Sequence, residues 1–527
     1  MLDILIKHST VVDGTGQPAF RADVGVAGDR IVMMAEAIEH QAAREIDAQG
    51  LHLTPGFIDP HTHSDLPLLV DPPGQSKIRQ GVTTEVVGNC GFSPAPVLGA
   101  ATQVIAARAA EWCLDVTWQG MGGYLDRLRH SGTVLNVVPL VGHNTVRGAV
   151  LGYDDVQPTP QQQASMEGMV EQAMQEGARG LSSGLFYPPG YYARPEEVIG
   201  LAKVAARYDG VYATHVRSET DLLLPAIAEA VDVGEQAGIR VEIAHVKIEG
   251  YRNWPVIDEL MAYLDDIQAR GLQVGCDQYP YIACNTWLMA MMPYWAQAGG
   301  ERAAAERVRD PQVRIALQRD LKQNPTEWQN RSGVRDWADL IVSDCPNCEE
   351  FEGKDLAKVA EILGKDPLSA VFDLVVASEG AASAVCFTQL EKNVKALMKH
   401  PLVVVGSDGS SLKPEGLLGK RKVHPRSYGA FPRVLGRYVR QEGLLTLEEA
   451  VKKMTSMTAE RFGLTDRGVV RQGAYADLVL FDPERVIDQA TYSDPHQYPE
   501  GIPYVLVNGA VVIDAGQYSG ALPGQVL

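Results

Sequence analysis

The sequence predicts a (β/α)₈ barrel with a small β domain assembled from both ends of the chain. Three observations carry this. Eight short apolar runs recur through the middle of the chain with amphipathic stretches between several of them. The two ends share a different, strand-and-turn texture. The ends of five of the eight runs carry His, Cys or Asp, placed where a barrel gathers its active site.

The N-terminal segments LDILIKHSTVVDG, ADVGVAGDRIVMMA and REIDAQGLHLTPG read as short strands joined by Gly and Asp turns. GVVRQGAYADLVLFDP and YVLVNGAVVIDAGQYSG repeat that texture near the C-terminus. Residues 1–55 and 468–527 are therefore expected to form one β-sandwich domain, since chain termini often lie close together.

The barrel is expected over residues 56–467. Its runs are GFIDPHTH (56–63), TTEVVGNCG (83–91), VLNVVPLVGHN (134–144), ARGLSSGLF (178–186), GVYATHV (210–216), RVEIAHVK (240–247), LQVGCDQYPY (272–281) and PLVVVGSDG (401–409). Near-continuous apolar runs suit parallel strands buried on both faces. PTPQQQASMEGMVEQAMQEGA, RPEEVIGLAKVAARYD and LLLPAIAEAVDVGEQAG read as helices between them. A gap of roughly 120 residues separates the seventh run from the eighth, too long for one crossover. A helical insertion is expected over 290–385. Following a strand, it would lie at the C-terminal face as a candidate lid.

Composition narrows the function. The net charge of −19 disfavours nucleic acid and anionic membranes as partners, because a phosphate backbone wants clustered Lys and Arg. It leaves a small anionic substrate open. The N-terminus lacks a basic n-region, a long apolar core and a cleavage site. No uncharged apolar run reaches the ~18 residues of a membrane span. Seven cysteines in a chain of 527 residues do not look like a disulfide framework. A soluble, cytoplasmic protein is expected.

The chemistry collects at the run ends. His61 and His63 close the first, Cys90 the second, His215 the fifth, His245 the sixth and Asp408 the eighth. Residues i and i+2 of a strand point the same way, so both histidines of HTH would aim at the barrel axis. Taken singly, each residue has a bland reading as core, turn or cap. Together they take four of only twelve histidines to predicted strand ends. Imidazole and thiolate suit Zn²⁺. Five N/S ligands exceed the needs of one catalytic zinc, which points to a binuclear site or to one tight and one weak position.

These motifs are similar to those of the amidohydrolase superfamily, and within it to the N-acyl-D-amino-acid deacylases (D-aminoacylases). PGFIDPHTHSD, GVTTEVVGNCGFSPAP, GLSSGLFYPPGYYA, THVRSE, AHVK, DQYPY, VGSDG and HPRSYGAFPRVLG resemble that family's blocks in order, nearly end to end. The resemblance implies a tight zinc on Cys90, His215 and His245, a weaker position at His61 and His63, and Asp408 as acid/base. It implies that the Cys90 thiolate replaces the carboxylated lysine of hydantoinase-like branches, since ARGLSSGLF carries no lysine. It also implies substrate contacts at Tyr187, Lys247, Tyr281 and Arg426. The activity implied is zinc-dependent hydrolysis of N-acyl-D-amino acids to a carboxylate and a free D-amino acid. D-selectivity is expected from an α-carboxylate fixed by Lys247 and Arg426.

Thr286, Trp287, Leu288, Met289 and the two methionines that follow are expected to line an apolar side-chain pocket. The basic island KPEGLLGKRKVHPR (413–426) fits an anionic substrate or a solvated loop. His143 is a candidate neighbour of the metal ligands. CPNC at 345–348 lacks the second cysteine pair a structural zinc needs. Other amidohydrolase reactions, on cyclic amides or dipeptides, are the alternative, and a catalytically dead scaffold is the alternative outside enzymes.

Overall fold

The structure is a computed structural model describing residues 1–323 and 335–527. Residues 324–334 of the expected insertion lie outside the described residues.

Eight parallel strands follow the eight apolar runs: Phe57–Asp59, Val82–Val87, Asn136–Pro139 (continued by Val141–Gly142), Gly180–Gly184, Val211–His215, Arg240–Ile243, Val274–Gln278 and Val403–Val405. Each pairs in parallel with the next. The first and last strands meet through a single parallel bridge, Thr62 to Gly409, which closes the ring. The fourth, fifth and seventh strands are buried along their whole length. That is the consequence of a core on one face and helices on the other.

The helices expected between strands form with recognisable signals. Pro160–Gln175 opens on a capping box between Thr159 and Gln162 and buries Met166, Val170, Ala173 and Met174, a helical stripe. Pro195–Ala206 starts on proline with Glu196 and Glu197 in its first turn and Lys203 in its last, complementing the helix dipole. Leu223–Ala237 stops at Gly238, whose φ of +67° is left-handed.

The ends of the chain share a sheet. Leu2–Val11 pairs antiparallel with Phe20–Ala27, and its two halves pair in parallel with Ala42–Asp47 and His52–Pro55. His52–Pro55 in turn pairs with Leu478–Phe481 from the far end of the chain. Hydrogen bonds join all nine strands into one sheet, where the sequence reading expects a two-sheet sandwich. The reason is that Leu2–Val11 divides its edge between two partners, so no break separates the layers. Ile4, Ile6, Val24, Leu53 and Leu478 fill its core.

The insertion differs from its expected all-helical character. Helices Glu301–Val308, Pro311–Gln323, Leu356–Leu363 and Pro367–Ala377 are present. An antiparallel sheet accompanies them, with Ser383–Cys386 between Cys284–Trp287 and Leu340–Asp344. Strands of four or five residues give too short an alternation to register against the longer helical patterns around them. Cys345 and Cys348 form a disulfide, which the composition argument does not anticipate. No helix among the described residues is long and apolar enough to cross a membrane.

Candidate metal centre

The side chains singled out by sequence converge at the C-terminal mouth of the barrel. His61 and His63 stand beyond the strand proper, which ends at Asp59. The Thr62–Gly409 bridge keeps this segment extended, and Thr62 hydrogen-bonds to the Val86 carbonyl through its amide (3.1 Å) and hydroxyl (2.8 Å). Thr62 thus turns outward while both imidazoles turn inward, their ring centroids 5.4 Å apart.

Cys90 follows the second strand in the turn Gly88–Asn89–Cys90–Gly91. Ser182 of the fourth strand pins that turn: its hydroxyl donates to the Gly88 carbonyl and accepts from the Gly91 amide. Gly184 must be glycine, since a Cβ there would lie 2.1 Å from the Cys90 carbonyl oxygen. Cys90, His245 and Asp408 all have left-handed backbones, with φ of +53°, +35° and +51°. Such conformations cost of order 1–3 kcal/mol each and persist where the surroundings over-determine them.

The Cys90 Sγ faces three imidazole nitrogens, His61 Nε2 at 3.3 Å, His245 Nε2 at 3.6 Å and His215 Nδ1 at 3.7 Å. Tetrahedral zinc with legs of ~2.3 Å to sulfur and ~2.0–2.1 Å to nitrogen sets such donors ~3.6 Å apart. The donor set fits the ion in both chemistry and spacing. Asp408 Oδ1 lies 3.1 Å from His63 Nε2 and 3.6 Å from His61 Nε2, forming a second convergent group. His61 belongs to both groups, so the geometry draws no sharp line between a Cys90–His215–His245 set and a His61–His63 set.

Burial, followed by the Asp408 carboxylate, pushes the Cys90 thiol well up. A thiolate there calls for a cation beside it. Burial holds the His61 imidazole neutral, with its pKa pushed down to about 3, and it lowers His245 well below the ordinary range. Neutral imidazole is the metal-binding form. Burial would raise the Asp408 carboxyl, but the Arg426 guanidinium and His245 outweigh it and hold it well below the usual carboxylate range.

Sequence reasoning missed two carboxylates. Glu219 lies beneath the imidazoles, 3.0 Å from His245 Nδ1 and 3.5 Å from His215 Nε2. It therefore faces the ring nitrogens turned away from Cys90, the position from which a carboxylate fixes tautomer and ring orientation. Its signal was the i,i+4 spacing of THVRSE. Asp277 accepts the His245 amide N–H at 2.9 Å and places its other oxygen 3.6 Å from His61 Nδ1.

The expected substrate residues divide. Arg426 reaches the cavity, its Nη1 2.7 Å from Asp408 Oδ2. Tyr187 lines the cavity, with its hydroxyl 3.1 Å from Thr286 Oγ1. Lys247 also lines it, but its ammonium pairs with Glu219 and lies 2.8 Å from His245 Nδ1. Tyr281 does not line the cavity: it packs edge-on to His424 (5.1 Å) beneath the Arg433 guanidinium (4.7 Å). A tyrosine three residues past a strand end can turn either way, and the local motif does not say which.

The cavity measures about 400 Å³. Phe92, Tyr187 and Trp287 form an aromatic wall, with ring centroids 5.2–5.9 Å apart. Thr286 and Trp287 line it, whereas Leu288, Met289, Met291 and Met292 join the main core and anchor the insertion. Within the basic island, Lys413 pairs with Asp71, and Arg421 with Glu111 and Asp344. His143 instead pairs with Glu197 at 2.8 Å in a buried cluster with Arg147.

A model of the amidohydrolase family matches residues 44–513. A D-aminoacylase of Alcaligenes xylosoxydans xylosoxydans is 35% identical, the match covering 100% of this chain and 97% of that one. The crystal structure of an N-acyl-D-glutamate deacylase from Bordetella bronchiseptica, complexed with zinc and a phosphonate mimic of the tetrahedral intermediate, superposes with a TM-score of 0.84. It is 34% identical and covers 100% of this chain and 99% of its own. A D-aminoacylase structure described by its binuclear metal centre, with one-metal activation and second-metal attenuation, also superposes at 0.84, with 34% identity and full coverage of both chains.

Proposed function

The chain belongs to the amidohydrolase family, and from that premise we propose that it hydrolyses N-acyl-D-amino acids to a carboxylate and a free D-amino acid. The observation that carries this reading is the buried Cys90 thiol facing three imidazoles at 3.3–3.7 Å, with Asp408 at the same mouth. Cys90, His215 and His245 are the proposed tight zinc ligands, and His61 and His63 belong to a second, weaker position. Zinc, when bound there, supplies Lewis acidity that makes water nucleophilic near neutral pH and polarises the acyl carbonyl.

Asp408 accepts a proton from the attacking water and then delivers it to the departing amine nitrogen. The Tyr187 hydroxyl, at the cavity wall, donates to the developing oxyanion. Arg426 takes the substrate α-carboxylate. In doing so it loosens its hold on Asp408, so substrate binding strengthens the base. With Lys247 committed to Glu219, the carboxylate-fixing role expected of both cations falls to Arg426. Fixing that carboxylate and the scissile amide leaves one direction for the side chain, which is the basis proposed for D-selectivity.

The favoured side chain is apolar, supported by the aromatic wall and by Leu66 and Ile105 along the cavity. Arg108 favours a second reading, an acidic side chain. Its guanidinium lies 4.6 Å over the Phe92 ring and 5.2 Å over Trp287, on the same wall. Amine release from N-acetyl-D-methionine, -leucine, -phenylalanine, -aspartate and -glutamate, with L-enantiomers alongside, decides between them. Faster turnover of D-Asp or D-Glu than of D-Met would replace the apolar assignment. Turnover of hydantoins or dipeptides, with none of the N-acyl-D series, would replace the reaction itself.

A further inference from the structure

Beneath the metal centre lies a charge cluster that the reaction as described does not use. Lys77, Asp59 and Glu85 are each 0% exposed. The Lys77 ammonium lies 2.7 Å from Asp59 Oδ2, 2.5 Å from Ser407 Oγ and 3.4 Å from Glu85 Oε1. Burying an ammonium and two carboxylates is costly, so the cluster is weak evidence for stability alone. Its location suggests another role.

Asp59 ends the first barrel strand, and Ser407 stands two residues past the last. Asp59 Oδ1 accepts the amide N–H of Ser407 at 3.0 Å and that of His61 at 3.3 Å. The Ser407 hydroxyl donates across the seam to the His61 carbonyl at 3.4 Å and accepts the Gly409 amide at 3.0 Å. Glu85 Oε2 accepts from Ser411 at 3.1 Å. These contacts span the seam where the first and last strands share only the Thr62–Gly409 bridge instead of a ladder. One side of the seam carries His61 and His63, the other Asp408.

We infer that Lys77 is a positioning residue: its ammonium ties Asp59 to Ser407 and so holds the His61–His63 segment in register with Asp408 across the barrel seam. The inference rests on the proposed roles of those three residues. His215 ends the fifth strand, and Cys90 and His245 follow the second and sixth, all three strands joined to their neighbours by regular ladders, so they do not depend on the tie.

The test compares Lys77→Met, the neutral triple variant Lys77→Met/Asp59→Asn/Glu85→Gln, and Ser407→Ala, which keeps every charge and cuts one arm of the tie. Each is assayed for kcat and KM on N-acetyl-D-methionine, zinc affinity by chelator competition, and unfolding by denaturant. The triple variant removes the buried-charge problem, and Ser407→Ala stands in should it fail to fold. The expected result in the folded variants is a kcat lowered about tenfold or more with KM held within about twofold, and a weaker zinc position loosened about tenfold with the tight one unchanged. Wild-type kcat and zinc affinities in a folded triple variant and in Ser407→Ala would overturn the inference. Equal loss at both zinc positions would overturn it too, because the tight ligands are off the seam. A wild-type protein without zinc or turnover would instead sink the functional reading on which the inference stands.

Discussion

Replacing Glu219 by glutamine separates the support of the metal centre from the stability of the barrel. Glu219 is 1% exposed and Lys247 4%, so their ion pair is fully desolvated. It belongs to the class in which removing one partner costs about 3–5 kcal/mol, not the surface class worth 0–1. Burial would raise the Glu219 carboxyl, but Lys247 and the two imidazoles hold it well below the ordinary range. The stability it contributes is thus complete above the unfolded glutamate pKa of about 4.3, and is lost as pH falls through the lower folded value. At pH 7 the metal-free Glu219→Gln protein should unfold about 3–5 kcal/mol more easily in urea. Adding Lys247→Met, which removes the stranded ammonium, should recover most of that loss. Zinc affinity should respond differently. Glu219 lies 3.0 Å from His245 and 3.5 Å from His215, and loss of an outer partner that orients metal ligands costs about 10–100-fold in affinity. The double variant should keep that deficit. If the stable double variant binds zinc as tightly as the parent in chelator competition, Glu219 does not orient the ligands.

Asp408→Asn should abolish amine release while leaving zinc bound, and parental turnover in that variant would remove Asp408 from the base role. Tyr281→Phe should leave KM within about twofold and cost little or no stability, because its buried hydroxyl has no hydrogen-bond partner among the described residues; a large KM rise would restore it as a substrate contact. Burial pushes Lys453 down from 10.5 to about 8 while it donates to the His400 and Val403 carbonyls. The unfolded chain then binds more protons between pH 8 and 10.5, so stability should rise across that window. The gain is about 3.5 kcal/mol, at ~1.4 kcal/mol for each pH step of that window. Lys453→Met should lose this rise in urea titrations at pH 7.5 and 10, and an unchanged slope would refute the assignment.

The barrel was legible because strands buried on both faces leave continuous apolar runs, and the proposed ligand residues follow those runs directly. The helices between them carry caps and stripes that are local in sequence, as Thr159 and Gln162 show. The insertion's sheet was not legible, since Leu340–Asp344 and Ser383–Cys386 are too short for periodicity and pair over a long separation. The same limit hid Glu219 and Asp277. A carboxylate facing the far nitrogen of an imidazole is set by packing: the i,i+4 spacing of His215 and Glu219 is at most a hint, and Asp277 has no such spacing to His61 or His245. Lys247 and Tyr281 show the converse. Motif position brought both to the right neighbourhood, but only the packed structure shows the Lys247 ammonium paired with Glu219 and the Tyr281 ring turned from the cavity.

The central claim, zinc-dependent and D-selective amide hydrolysis, is tested most directly on one preparation. Amine release from N-acetyl-D- and N-acetyl-L-methionine would be measured as purified, after chelation, and during back-titration with zinc. The account predicts turnover of the D form alone, lost with the metal and restored by about one zinc per chain. Turnover that survives complete zinc removal, or equal rates on both enantiomers, would contradict it.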